Sequence, residues 1–202
     1  MLIPLKTLEE QYNVKPSGVI HIGANIGEEA VQYEEQGIKN VVWIEANPDI
    51  YQTLCSNVAH LGHRCYNFAA GDENKKVQLH ISNNAGQSSS VLALGTHKRN
   101  HPTVKYTHDI EVDMLRVDHA TIDLSGIDYL SMDIQGFELN ALKGMGELLH
   151  QFKWVYLEVN REEVYRGNGL AKDVYKYLGT FGFKLVVEKY TKANWGDALL
   201  SK

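Results

Sequence analysis

Short runs of β-branched and aromatic residues alternate along this chain with stretches whose apolar positions recur every three or four residues. That alternation is expected of an α/β fold. Residues 18–23 (Gly-Val-Ile-His-Ile-Gly) predict a buried strand that ends on a glycine and feeds a helix over 28–35. Residues 41–45 (Val-Val-Trp-Ile-Glu) predict a second buried strand. Pro48 then opens a helix through Leu54 and Val58, because proline suits a first helical turn. Further strands are expected over 64–69, 76–81 (after a turn at 72–74), 105–115, 129–133, 154–159 and 183–188, with a short last strand over 198–202. Helices are expected over 138–149 and 171–181, the second stopped by Gly182. Residues 82–103, rich in Asn, Gly, Ser and His, read as a long polar loop, and such loops are usually functional or mobile.

Parallel strands joined by right-handed crossovers make an open, doubly wound sheet, and ligands sit beyond the carboxyl ends of its strands. The residues to inspect are therefore 21–27, Glu45, 67–70, 133–136 and 158–160.

Composition narrows the picture. The 202 residues are 44% hydrophobic and 22% charged, an ordinary globular balance that predicts one domain over 1–202. Residues 1–15 form an N-terminal extension of that domain, and residues 82–103 its substrate-side loop. The net charge of -5 argues against broad binding to nucleic acid or an anionic membrane. Cys55 and Cys65 make neither a disulfide framework nor a C-x-x-C zinc site and are expected to be reduced thiols. The first fourteen residues lack the apolar core of a signal peptide, and no stretch approaches the ~18 apolar residues of a membrane span, so a cytoplasmic protein is expected.

The glycine turn carries the first chemistry. His21-Ile-Gly23-Ala24-Asn25-Ile-Gly27 contains no G-x-G-x-x-G and no phosphate-loop lysine. Glu28 and Glu29 follow it, where they would oppose a pyrophosphate on the same amides. The turn thus suits a ligand with positive charge, such as S-adenosylmethionine, better than a dinucleotide. Glu45, about 20 residues further on, is placed to accept hydrogen bonds from ribose hydroxyls. Asn47 would assist or cap the next helix. Asp133 ends an apolar strand, Gln135 adds an orienting amide, and Glu158 and Asn160 stand at the corresponding end of the next strand. Neighbouring desolvated acids acquire shifted pKa values that suit base work.

Residues 19–45, the segment Asp133-Ile134-Gln135-Gly136-Phe137-Glu138-Leu139 with Leu142-Lys143-Gly144 behind it, and Leu157-Glu158-Val159 together resemble the FkbM-like family of S-adenosylmethionine-dependent methyltransferases. Residues 86–90 and 195–198 add to the likeness, which covers roughly residues 16–202. The resemblance implies a seven-stranded Rossmann-like methyltransferase fold, its sheet mostly parallel and its last strand antiparallel. It implies methyl transfer from S-adenosylmethionine to a hydroxyl oxygen of a sugar, glycan or related small molecule. By position, Gly23, Ala24, Asn25 and Gly27 would meet the methionine part of the cofactor. Glu45 with Ala46 would hold the ribose, Asn67 and Ala69 would flank the adenine, and Asp133 with Gln135 would stand beside the methionine amine and the methyl. His21 departs from the many relatives that carry an acid there; a neutral histidine supplies a hydrogen bond but no negative charge.

A sugar hydroxyl needs a base, and the candidates are Asp133, then Glu158, then His97 of the polar loop. Lys98 and His101 give that loop local positive charge and would clamp an anionic or glycan ligand, with Ser88, Ser89 and Ser90 as hydroxyl donors. Asp133, Glu158 and Asn160 offer oxygens of the kind Mg²⁺ takes, but strand-end acids are common without a metal and none is assigned. The competing readings are a methyltransferase acting on nucleic acid or protein, and a cofactor-binding module without catalysis.

Overall fold

The computed structural model describes residues 2–202. Ten strands form: β1 Gly18–Ile22, β2 Asn40–Glu45, β3 Arg64–Asn67, β4 Ala69–Ala70, β5 Lys75–Ser82, β6 Tyr106–Leu115, β7 Tyr129–Met132, β8 Trp154–Asn160, β9 Lys184–Tyr190 and β10 Trp195–Ser201. The helices are α1 Leu5–Tyr12, α2 Ala30–Glu35, α3 Pro48–Val58, the single turn α4 His97–Asn100, α5 Glu138–Met145 and α6 Ala171–Gly179.

Seven strands make one sheet in the order β3-β2-β1-β7-β8-β10-β9. β1 pairs in parallel with both β2 and β7, and the parallel pairing continues to β3 and β8. β10 runs antiparallel between β8 and β9. This is the expected Rossmann-like sheet with its last strand reversed.

Period-two alternation fills both faces. Ile20, Ile22, Val42, Ile44, Leu130, Met132, Val155 and Leu157 point to one side, against Ala141, Leu142 and Met145 of α5 and Val174 and Leu178 of α6. Val19, Val41, Trp43, Tyr129, Tyr156 and Leu199 point to the other, against Leu5 and Leu8 of α1, Ala30 and Tyr33 of α2, and Leu54 and Val58 of α3. Among the described residues no helix is long and apolar enough to cross a membrane.

Four elements differ from the sequence reading. The strand expected over 64–69 divides at buried Phe68: Ala69 and Ala70 leave the large sheet and pair with Met114 and Leu115 in a three-stranded sheet ordered β4-β6-β5. The N-terminal extension folds into α1, whose eight residues are too few to display a helical period. The helix expected over 138–149 tightens into a 3-10 segment at Gly146, whose φ of 49° an α-helix does not accept. Bridges from Ser90 to His80 and from Leu94 to Tyr165, with a bond from Ser90 Oγ to the Gln135 carbonyl, hold the polar loop over the carboxyl ends of the strands.

Candidate active site

Strand order reverses between β1 and β7, and the crevice beyond their carboxyl ends is where an open α/β sheet receives its ligand. The chain leaves β1 by a tight turn in which the N–H groups of Gly23 and Ala24 donate to Ile44 O at 2.9 and 3.1 Å. Gly23 has a φ of 81°, and a Cβ there would lie 1.9 Å from the carbonyl oxygen of Asp133, so only glycine lets the two strand ends approach this closely. Asn25, also left-handed at φ 46°, points its N–H at Glu45 Oε2, 2.9 Å away. Asn47 N donates to Glu45 Oε1 at 2.8 Å, while its side chain caps α3. Burial pushes the Glu45 carboxyl up, and these backbone bonds work against it. Each oxygen takes one of these N–H groups, and a carboxylate oxygen can accept a second bond.

Two cavities open on this crevice. The first lies between the glycine turn, Glu45 and Ala46, and an apolar wall of Ile50, Phe68, Ala69, Val91 and Phe137. The second is larger and polar, with His21, Ala24, Ser88, His97, His101 and Glu158 among its walls. Gly23, Asn25, Gln87, Asp133 and Gln135 line both, so the cavities meet at the end of β7.

At that meeting point acids gather. Gln135 is left-handed (φ 55°), which turns its side chain back so that Nε2 donates to Asp133 Oδ1 at 2.6 Å and to Glu158 Oε2 at 3.3 Å. Tyr165 OH donates to Gln135 Oε1, and Ser90 Oγ to the Gln135 carbonyl at 2.8 Å. Glu138 Oε1 accepts the N–H groups of Ile134 and Gly136 at 3.0 and 3.1 Å, holding the turn that carries Gln135. One oxygen each from Asp133, Glu138 and Glu158 lies within 4.8 Å of the others, close enough to hold a cation. Burial is the main reason all three carboxyls titrate high: Asp133 is pushed up to about 6 and Glu138 to about 7. Glu158, with Asp133, Glu138 and Asp197 also facing it, is held well above the carboxylate range. At neutral pH Asp133 is therefore mostly ionised, while burial and the facing acids favour the protonated form of Glu158.

The histidines divide. His21 is buried, stacks on Trp43 at 5.2 Å and places Nδ1 2.9 Å from Tyr33 OH; burial holds its pKa down, so it reaches the second cavity as a neutral ring. His97 is buried beside Tyr165 and His101, also held neutral by burial, and its Nδ1 has no partner.

Several predicted residues stand apart from the cavity walls. Gly27 (φ 80°) packs against Leu54 and Val58, and Asn67 Nδ2 donates to the carbonyls of Glu45 and Ala46, steadying the end of β2. Lys98 is exposed and lines neither cavity. The serines split, Ser88 to the second cavity and Ser89 and Ser90 to the first, each hydroxyl already bonded to protein groups. The sequence reading missed the apolar wall, Tyr165 and the structural use of Glu138. Only Glu138 left a signal, as an acid four residues after Ile134 at a helix start.

A seven-stranded sheet with a reversed last strand and a crevice between β1 and β7 defines the class, a Rossmann-like methyltransferase fold. Residues 21–185 match the Methyltransferase FkbM domain, and the chain belongs to that family. Solved structures agree on the fold. A Streptococcus agalactiae protein of the NADB-Rossmann superfamily superposes with a TM-score of 0.54 at 14% identity, over 100% of this chain and 68% of that one. A Streptococcus pneumoniae protein, provisionally assigned as a tRNA (m1A22) methyltransferase, gives 0.54 at 13% over 100% and 70%. A TehB-like SAM-dependent methyltransferase from Corynebacterium glutamicum gives 0.52 at 10% over 100% and 89%. At such identities the likeness is one of fold. No curated protein matches the sequence.

Proposed function

We propose that this chain transfers a methyl group from S-adenosylmethionine to a hydroxyl oxygen of a sugar, glycan or related small molecule. The observation that carries the reading is the meeting of two unlike cavities at Asp133, one apolar with an acid at its edge and one polar.

The first cavity fits a nucleoside. Its apolar wall suits a flat base, with Ala69 rather than Asn67 on that wall, and the carboxylate oxygens of Glu45 suit ribose hydroxyls. The Gly23 turn leaves room where a side chain would collide with Asp133. Gly23, Ala24, Asn25 and Asp133 would hold the methionine part. Bound there, S-adenosylmethionine supplies an electrophilic methyl on a sulfonium.

The chain's own residues would then orient the acceptor and take its proton. Asp133 is ionised at neutral pH and lines both cavities, so we assign it as base, accepting the hydroxyl proton at Oδ2 while Gln135 holds Oδ1. Glu158, whose protonated form burial and the facing acids favour, is the weaker candidate. His97 offers a neutral ring on the acceptor side. Alignment and exclusion of water supply most of the advantage, up to roughly 7–11 kcal/mol from orientation alone. The test is incubation with cofactor carrying a labelled methyl and a panel of glycans, sugars, RNA and protein. Label on a sugar hydroxyl supports the reading; label only on RNA or protein replaces it.

A further inference from the structure

The charge of the second cavity narrows the acceptor further, and this step rests on the reading of that cavity as the acceptor pocket. Its walls carry Glu28, Glu29, Asp133 and Glu158, and no lysine or arginine. The cations of the adjoining loop are turned away: Lys98 is exposed and off the wall, and Arg99 Nη2 is 3.3 Å from Glu162 Oε1. Among the described residues Glu28 and Glu29 make no side-chain hydrogen bond or ion pair. S-adenosylmethionine brings a sulfonium, an ammonium and a carboxylate, a net single positive charge. Two free glutamates outweigh it even if Asp133 and Glu158 both hold protons. A phosphate entering this space would meet like charge and, among the described residues, no lysine or arginine on the walls, a cost that grows as water is displaced.

The same walls offer partners for hydroxyls. His97 is 6% exposed, lines the cavity, and has an Nδ1 with no partner. A buried polar atom left this way is satisfied by a ligand hydroxyl at little cost. Tyr165 and Trp195 add aromatic surface on the same wall, suited to the C–H face of a sugar ring or to an ammonium.

We propose that this cavity takes a polyhydroxylated acceptor without phosphate or carboxylate, either a plain sugar or an amino sugar, and excludes sugar phosphates, nucleotide sugars and RNA. Of the loop residues expected to clamp an anionic or glycan ligand, Lys98 does not face this cavity and His101 does.

The test begins with calorimetry, to establish that the protein binds S-adenosylmethionine. The protein is then incubated with cofactor carrying a labelled methyl and a cell extract, and the labelled products are separated by charge. The expected result is at least tenfold more label in the neutral and cationic fractions together than in the anionic fraction; the neutral fraction would identify a plain sugar, the cationic an amino sugar. Glucose 6-phosphate should compete with transfer at least tenfold less well than glucosamine or glucose, whichever competes better. Most label in the anionic fraction, or glucose 6-phosphate as the best competitor, overturns the inference and leaves the methyltransferase reading standing. Failure to bind cofactor, or binding with no label transferred to any fraction, overturns that reading and this inference with it.

Discussion

Glu45 joins two parts of the crevice, because its two oxygens receive N–H groups from the turn after β1 and from the start of α3. Glu45→Ala removes the ribose acceptors and leaves both N–H groups unpartnered. Hydrogen bonds to a charged group contribute about 1.5–3 kcal/mol each, so S-adenosylmethionine affinity should fall by about 10- to 100-fold in calorimetry. Unchanged affinity would reject the assignment. Asp133→Asn keeps an oxygen for Gln135 Nε2 and removes the base. Turnover should fall by about 10²–10⁴-fold while the melting temperature stays near that of the wild type, and full activity would eliminate Asp133 as base. Much of this was legible in the chain, because Glu45, Asp133 and Glu158 each end or adjoin a recognisable apolar strand. The Tyr165–Gln135 contact was not: Tyr165 sits in a segment with no periodic pattern, and thirty positions separate the partners.

Among the elements, the turn from β1 to α2 is the least tolerant of change. At Gly23 a Cβ would overlap the Asp133 carbonyl, and a left-handed backbone alone costs a non-glycine residue about 1–2 kcal/mol. Gly23→Ala should lower the melting temperature and abolish cofactor binding; normal binding would show that the strand ends separate freely. α1 is built into the core through Leu8, which is fully buried. Leu8→Ala should cost about 2–5 kcal/mol in urea unfolding, and a cost near zero would mark α1 as a loose appendage. The central strands β1, β2, β7 and β8 were readable because both faces are buried, which makes each a largely apolar run. α1 and the division at Phe68 were not, since the first is two turns long and the second depends on which sheet captures Ala69 and Ala70. Of the two clamp residues expected in the polar loop, Lys98 lies off the crevice and His101 lines it, because one turn of helix sets which side chains point inward.

For the whole molecule, the buried acids set a pH dependence. Asp133 and Glu138 have folded values raised from 3.8 to about 6 and from 4.5 to about 7. The folded state then binds more protons than the unfolded state, so their contribution falls as pH rises from about 4 to 7. His21 works in the opposite sense below 6.5, because burial lowers its value. Glu138→Gln separates the two, since it keeps an oxygen for Ile134 N and Gly136 N but cannot ionise. The variant's melting temperature relative to the wild type should rise as pH goes from 5 to 8, and a constant difference would show that Glu138 titrates normally. The account as a whole stands on the crevice between β1 and β7 receiving S-adenosylmethionine, and calorimetric titration of the folded protein tests that most directly. Saturable binding of S-adenosylmethionine and none of NAD is the predicted result. No heat with S-adenosylmethionine, or equal binding of NAD, would contradict it.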